Sequence, residues 1–153
     1  MFLHTVAGLL LQTDMNDLQR FIDAQEADFA TALAEIKNGR KHSHWMWYIF
    51  PQLQGLGFSE TSKYYGINDL DEAEAYINHP VLGQRLIEIC LELLRLKSDD
   101  ANEIFGNPDD RKLRSSMTLF AALPDAYPVF QSVLDKFFKG EPDDKTLRLI
   151  GEA

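Results

Sequence analysis

Apolar residues recur every three or four positions along most of this chain, the spacing of helices with one buried face. Leu18, Phe21, Ile22, Phe29, Ala32, Leu33 and Ile36 form the first stripe. It predicts a helix from about Asp17 to Lys37, stopped by Asn38-Gly39 because glycine takes the left-handed conformation freely. Ser59 is placed to cap a short helix through Tyr65, with Gly66 ending it. Asp69 to Glu72 resembles a capping box and opens a helix that ends near Asn78. His79-Pro80 restarts the chain with proline at a first helical position, and Val81, Leu82, Leu86, Ile89, Cys90, Leu93 and Leu94 make the strongest stripe.

A short helix follows from Asp99 to Phe105, closed by Gly106. Asn107 and Pro108 then read as cap and first residue of a helix carrying Leu113, Met117 and Phe120. Ala126 to about Phe138 points Phe130, Val133, Leu134, Phe137 and Phe138 inward, and Asp143 to Ile150 forms a last helix. The one candidate for extended structure is His44–Phe50. These elements predict an all-α fold, a compact, irregular single-domain bundle of about seven to eight helices.

One segment breaks the amphipathic rhythm. His42 to Ser59, HSHWMWYIFPQLQGLGFS, contains no Asp, Glu, Lys or Arg and concentrates Trp45, Trp47, Tyr48 and Phe50. A run with no polar face has to be buried, and each large ring buries roughly 150–250 Å². The segment is therefore expected at the centre of the core, either as a polar network or as the wall of a ligand pocket.

With 153 residues the chain suits one domain that needs no staple. The net charge of −9 opposes non-specific binding to nucleic acid or to anionic membranes, so neither is expected as a partner. The single cysteine, Cys90, excludes an internal disulfide and a multi-cysteine zinc site; it lies within an apolar stripe and reads as structural. A cytoplasmic location follows from that cysteine usage. Residues 1–14 lack the positive start and cleavage site of a signal peptide and are too short to span a bilayer. They read as an extension or a misplaced start ahead of Met15, with one helical domain over 15–153. The sequence carries no signal for an oligomeric state.

Candidate chemistry clusters in two places. Lys37, Arg40 and Lys41 precede His42 and His44, and Arg111, Lys112 and Arg114 precede Ser115, Ser116 and Thr118. Lysine or arginine with hydroxyls near a helix start suits an anion. The alternative is a solvated helix face, with Asp109 and Asp110 neutralising the second cluster, or a partner interface. His42 and His44 are two apart, which is not the helical spacing of zinc ligands, and no HExxH occurs; no metal or cofactor is expected. His44 is either a core histidine or a ligand contact capable of proton transfer. Gln52, Ser59, Tyr64 and Tyr65 either orient a polar ligand or satisfy one another. Gly55 and Gly57 serve a tight turn, since no phosphate-binding fingerprint surrounds them.

The strings GRKHSHWMWYIFPQLQGLGFS, HPVLGQRL and IFG-x-PDD-x-KLRSSMTLF resemble a family known as domain of unknown function 1810, over about Leu18 to Leu149. The resemblance implies a mainly helical, single-domain, bacterial-type protein with no established activity. The label calpastatin, carried by some relatives, fits poorly, because such inhibitors are extended and disordered whereas this composition folds. The family pattern maps onto Gln25, Lys41, His44, Trp45, Trp47, Tyr48, Phe50, Pro51, Gln52, Ser59, Asp109, Lys112, Ser115 and Ser116. This chain carries Phe29 where the pattern has tyrosine, so a hydroxyl there is not required for folding.

The functional expectation is binding or processing of a small anionic ligand, nucleotide-like or phosphorylated. The His44–Gln52 and Asp109–Ser116 segments would line one cleft, with Trp45, Trp47 and Tyr48 as walls. Lys41, Lys112 and Arg114 would take the charge, while Gln52, Ser59, Ser115 and Ser116 supply directional hydrogen bonds. His44 would be the proton-transfer group, with Lys112 pointing near it and Asp109 holding one of them. The alternative is a non-enzymatic interaction module whose acidic surface meets a basic partner.

Overall fold

The computed structural model describes residues 2–151, and the side chains of 18–151. Among them are nine helices: α1 (Phe2–Lys37), α2 (Met46–Ile49), α3 (Glu60–Tyr65), α4 (Leu70–Asn78), α5 (Leu82–Arg95), α6 (Ala101–Phe105), α7 (Asp109–Ala121), α8 (Pro128–Phe138) and α9 (Asp144–Leu149). The one β-type pairing among them is an isolated parallel bridge between Leu53 and Ile67. The all-α single-domain architecture is therefore as the periodicity predicts.

Three details differ from the sequence-based expectation. Helix α1 starts at Phe2 rather than near Asp17, so the backbone of residues 2–14 continues the helix. Whether those residues pack on the domain falls on side chains outside the described set. His44–Phe50 is not extended: Met46–Ile49 makes one helical turn, with Phe50 N–H donating to Met46 O at 3.1 Å. That turn sends Met46, Ile49 and Phe50 inward together, which an alternating strand could not do. Helix α7 begins one residue later than expected, with Pro108 in the cap position and no side-chain cap.

Local chemistry explains the boundaries. At the end of α1, Gly39 N–H donates to Ile36 O and Arg40 N–H to Glu35 O, a Schellman closure that Gly39 permits at φ 82°. Ser59, Asp69, Asp100 and Asp143 cap α3, α4, α6 and α9 through their side chains. Helix α5 is capped by a histidine ring instead: Nδ1 of His79 accepts from Val81 and Leu82 N–H at 3.1 and 3.3 Å. A Cβ on Gly83 would lie 1.9 Å from Ile77 O, so only glycine allows α5 to start so close against α4.

The core is built on α5 and α7, against which α1, α4 and α8 pack. Leu82, Leu86, Ile89, Cys90 and Leu93 of α5 are buried as predicted, while Val81 is exposed. Two aromatic sets organise the interior. Trp45, Phe50 and Phe105 meet edge-on or tilted within 5.8–6.3 Å between centroids. A second chain runs Phe21–Tyr76–Phe120–Phe130, with steps of 5.1, 5.5 and 5.5 Å. Phe137 and Phe138 are only half-buried at the end of α8.

Candidate functional site

The tertiary fold brings the two predicted segments together around one carboxylate. Asp109, in the first turn of α7, lies 2.9 Å from Lys41 Nζ and 3.1 Å from Lys112 Nζ. Lys41 Nζ also donates to Ser43 O at 2.5 Å and sits 5.0 Å from the Trp45 ring. Lys112 Nζ rests 3.7 Å above the Trp47 ring. Burial acts to raise the Asp109 carboxyl, but hydrogen bonds and charge from Lys41 and Lys112 outweigh it and hold the group below the usual carboxylate range. Two cations thus share one anion over two indoles.

A neighbouring acid organises the loop that carries Lys41. Glu35, in the last turn of α1, accepts from His42 N–H (2.8 Å), Ser43 N–H (3.0 Å), Ser43 Oγ (2.5 Å) and Trp45 Nε1 (2.9 Å). Burial opposes ionisation, yet these donors pull the carboxyl down to about 2. Glu35 belongs to none of the motifs in the sequence. A usable signal existed, because an acid at a helix C-terminus is unfavourable to the dipole unless other donors hold it.

The remaining candidates divide. Tyr48 donates to the Asp28 carboxylate and lies 3.2 Å from His44 O, and burial with Asp28 drives its phenol well above the ordinary range. Gln25, buried on the inner face of α1, donates to Tyr48 O (2.8 Å) and Tyr76 Oη (2.9 Å) and faces Arg85 Nη1 at 3.4 Å. His44 is not a core histidine: it is exposed, and its ring has no hydrogen bond among the described residues. Gln52 is half-buried and borders a gap of about 10 Å³ with Trp47, Gly57, Ser62 and Tyr65, no larger than about one water. Ser59 is spent as the α3 cap, accepting from Ser62 N–H.

On α7, Asp109, Lys112 and Ser116 share a stripe. Ser116 Oγ is fully buried and without a partner among the described residues, and Ser115 Oγ donates back to Arg111 O at 3.2 Å. Arg114 leaves this group, reaching Glu141 O at 2.9 Å.

Larger concave spaces lie elsewhere. One of about 530 Å³ is lined by Gln19, Arg20 and Asp23 of α1 and by Gln54, Lys63, Tyr64, Gly66 and Asn68. Arg20 Nη2 donates to Gly66 O (3.0 Å) and Glu72 Oε1 (2.9 Å), and its guanidinium stacks 4.4 Å from the Phe21 ring. Arg20 Nε is buried with no acceptor among the described residues. Tyr64 is 60% exposed at the mouth. Others measure about 290 Å³, beside Leu53 and Leu149, and about 280 Å³, between α4 and the α7–α8 loop. None of these spaces draws residues from both the 44–52 and the 109–116 segments. Among the described residues no three His, Cys, Asp or Glu side chains are arranged to hold a metal ion.

Comparison with known proteins is consistent with this framework. The family model described as protein of unknown function (DUF1810) matches residues 15–150. The crystal structure of a conserved hypothetical protein from Mycobacterium tuberculosis is 46% identical, with a TM-score of 0.86 over 88% of this chain and 96% of that one. No curated protein matches the sequence. By the extent of the family match and the identity of a whole homologous fold, this chain belongs to the DUF1810 family.

Proposed function

We propose that this protein binds a small anionic ligand, and that the ligand's charged group enters the Arg20 cavity. The observation that carries this reading is a concave space lined by two cationic side chains, Arg20 and Lys63. Lys63 makes no ion pair among the described residues and supplies a second positive charge. Gln19, Gln54 and Asn68 offer amide groups for directional bonds, and the Tyr64 ring offers a flat wall. A volume of about 530 Å³ lies within the ~300–1,000 Å³ usual for small-molecule sites.

A second reading places the anion at Lys112 over Trp47. It is favoured by the unequal charge count there, two ammonium groups to one carboxylate. His44, exposed on the adjoining loop, would then be the proton-transfer candidate. The buried thiol of Cys90, raised by burial and packed 3.7 Å from Met117 Sδ, suits a reducing, cytoplasmic setting. No helix among the described residues is long and apolar enough to cross a membrane.

Thermal-shift and amide-NMR titrations with inorganic phosphate, adenosine monophosphate, glucose 6-phosphate and succinate test both readings. Resonance changes confined to residues 19–23 and 54–68, lost in Lys63→Ala and Tyr64→Ala, support the Arg20 cavity. Changes at 41–47 and 109–112, lost in Lys112→Ala, support the second reading. No response to any of them would leave the interaction module as the better account.

A further inference from the structure

We propose that this chain associates with a second copy of itself, Phe58 of each copy entering a socket between α4 and α9 of the other. Phe58 is 84% exposed, the most exposed of the large apolar side chains described. The loop that carries it is tightly built. Gly55 turns the chain at φ 95°, and Gly57 lies so close to α3 that a Cβ there would be 2.8 Å from Ser62. Ser59, directly after Phe58, caps α3. With the residues on both sides fixed, the ring is held toward solvent, and a pre-positioned aromatic loses little freedom on docking. Lys145 Nζ, at the start of α9, lies 5.9 Å from the ring centroid. The projecting element is thus an aromatic ring with an ammonium beside it.

The socket, about 290 Å³, is lined by Leu53, Leu70, Leu149 and Ile150, with Asp69 and Asp71 among its polar residues. Its apolar wall is accessible: Leu149 is 45% exposed, and Leu70 and Ile150 are half-buried. No lysine, arginine or histidine lines it. Asp69 is engaged as the α4 cap. Asp71 and Lys145 are both exposed, and neither makes an ion pair among the described residues. The volume falls just under the ~300–1,000 Å³ usual for small-molecule sites and suits a single side chain.

Complementarity identifies the occupant. A ring with an ammonium matches an apolar wall with carboxylates, and one chain carries both halves. Lys145 and Leu149 are four apart on one face of α9, and Leu149 Cδ1 would lie 3.5 Å from a Cβ on Gly55. Ring and socket are therefore neighbours on one surface. A two-fold axis over that surface sets each Phe58 in the other copy's socket and each Lys145 beside the other copy's Asp71. Two docked rings bury roughly 300–500 Å², well under the ~1,200 Å² of a stable complex. Each copy also carries a net charge of −9. The association is accordingly weak, with a Kd on the order of 100 µM.

This interface does not draw on the Arg20 cavity, and neither does its test. Sedimentation velocity on the full chain from about 10 µM to about 1 mM spans the expected Kd. The average mass should rise from 17.5 kDa toward twice that value. Phe58→Ala should weaken association about tenfold and leave Tm unchanged, because the ring is exposed on its own chain. Asp71→Lys and Lys145→Asp should each weaken it about tenfold, since each turns two attractive contacts into two repulsive ones. The double variant carrying both exchanges should recover association to within about twofold of the unaltered chain. A monomer at every concentration overturns the proposal and leaves the socket to a small ligand or to another protein. Association that survives Phe58→Ala, or that the double exchange does not restore, overturns it as well.

Discussion

Lys41, in the loop after α1, and Asp109, at the start of α7, lie 2.9 Å apart with the lysine side chain only 7% exposed. The contact is a clasp. It joins the beginning of the aromatic segment to a helix far along the chain, and Lys41 N–H reinforces it by donating to Ile104 O at 2.7 Å. Asp109→Ala leaves Lys41 and Lys112 without their shared anion. We expect a loss of about 3 kcal/mol, as for a broken, largely buried pair, or about 6–12 °C in Tm. A fall below about 2 °C would show that the clasp is worth no more than a surface ion pair.

Glu35 sets an acid limit on the same loop. Its folded-state carboxyl is depressed to about 2 from an ordinary 4.5, so the folded state binds fewer protons than the unfolded one. The associated stability is fully present above about pH 4.5 and is lost as pH falls through about 2. Urea unfolding between pH 6 and pH 2.5 should show this decline, and Glu35→Gln should flatten it while lowering stability at pH 6. An unchanged slope in the variant would assign the acid sensitivity to other carboxylates.

Gln25 is the most demanding polar group in the interior. Substituting leucine leaves Tyr48 O and Tyr76 Oη without their donor, and a buried unpaired group costs about 1–3 kcal/mol. Gln25→Leu should lower Tm by about 3–10 °C. A neutral or stabilising effect would mean that the network contributes specificity of packing rather than stability.

Residues 1–14 should be dispensable for the fold, since the family match begins at residue 15. Deleting them should shift Tm by only a few degrees. A fall above roughly 10 °C would show that they pack on the domain, because ~1 kcal/mol moves a domain of this size about 2–4 °C.

Helix type and position were legible in the residues themselves. Periodicity, Ser59 and Asp69 as caps, and Gly39 as a stop all act within a few residues of one another, so they can be read from adjacent letters. The family likeness was legible for a related reason: HWMWYIFPQL and HPVLGQRL are contiguous strings with steric jobs, such as Gly83 pressed against Ile77. The conformation of His44–Phe50 stayed open because a short apolar run looks the same in a strand and in a buried helical turn. What surrounds the run decides between them.

The site belongs to the other category. By itself the sequence determined an all-α domain, an acidic surface and two basic clusters. Only the tertiary structure decided that Asp109 joins those clusters, that Glu35 gathers four donors, and that His44 faces solvent. It also placed the larger concave spaces beside Arg20 and Phe120, away from both clusters. Charges and cavities are shared between elements distant in the chain, and their partners follow from how helices cross, which no local spacing encodes.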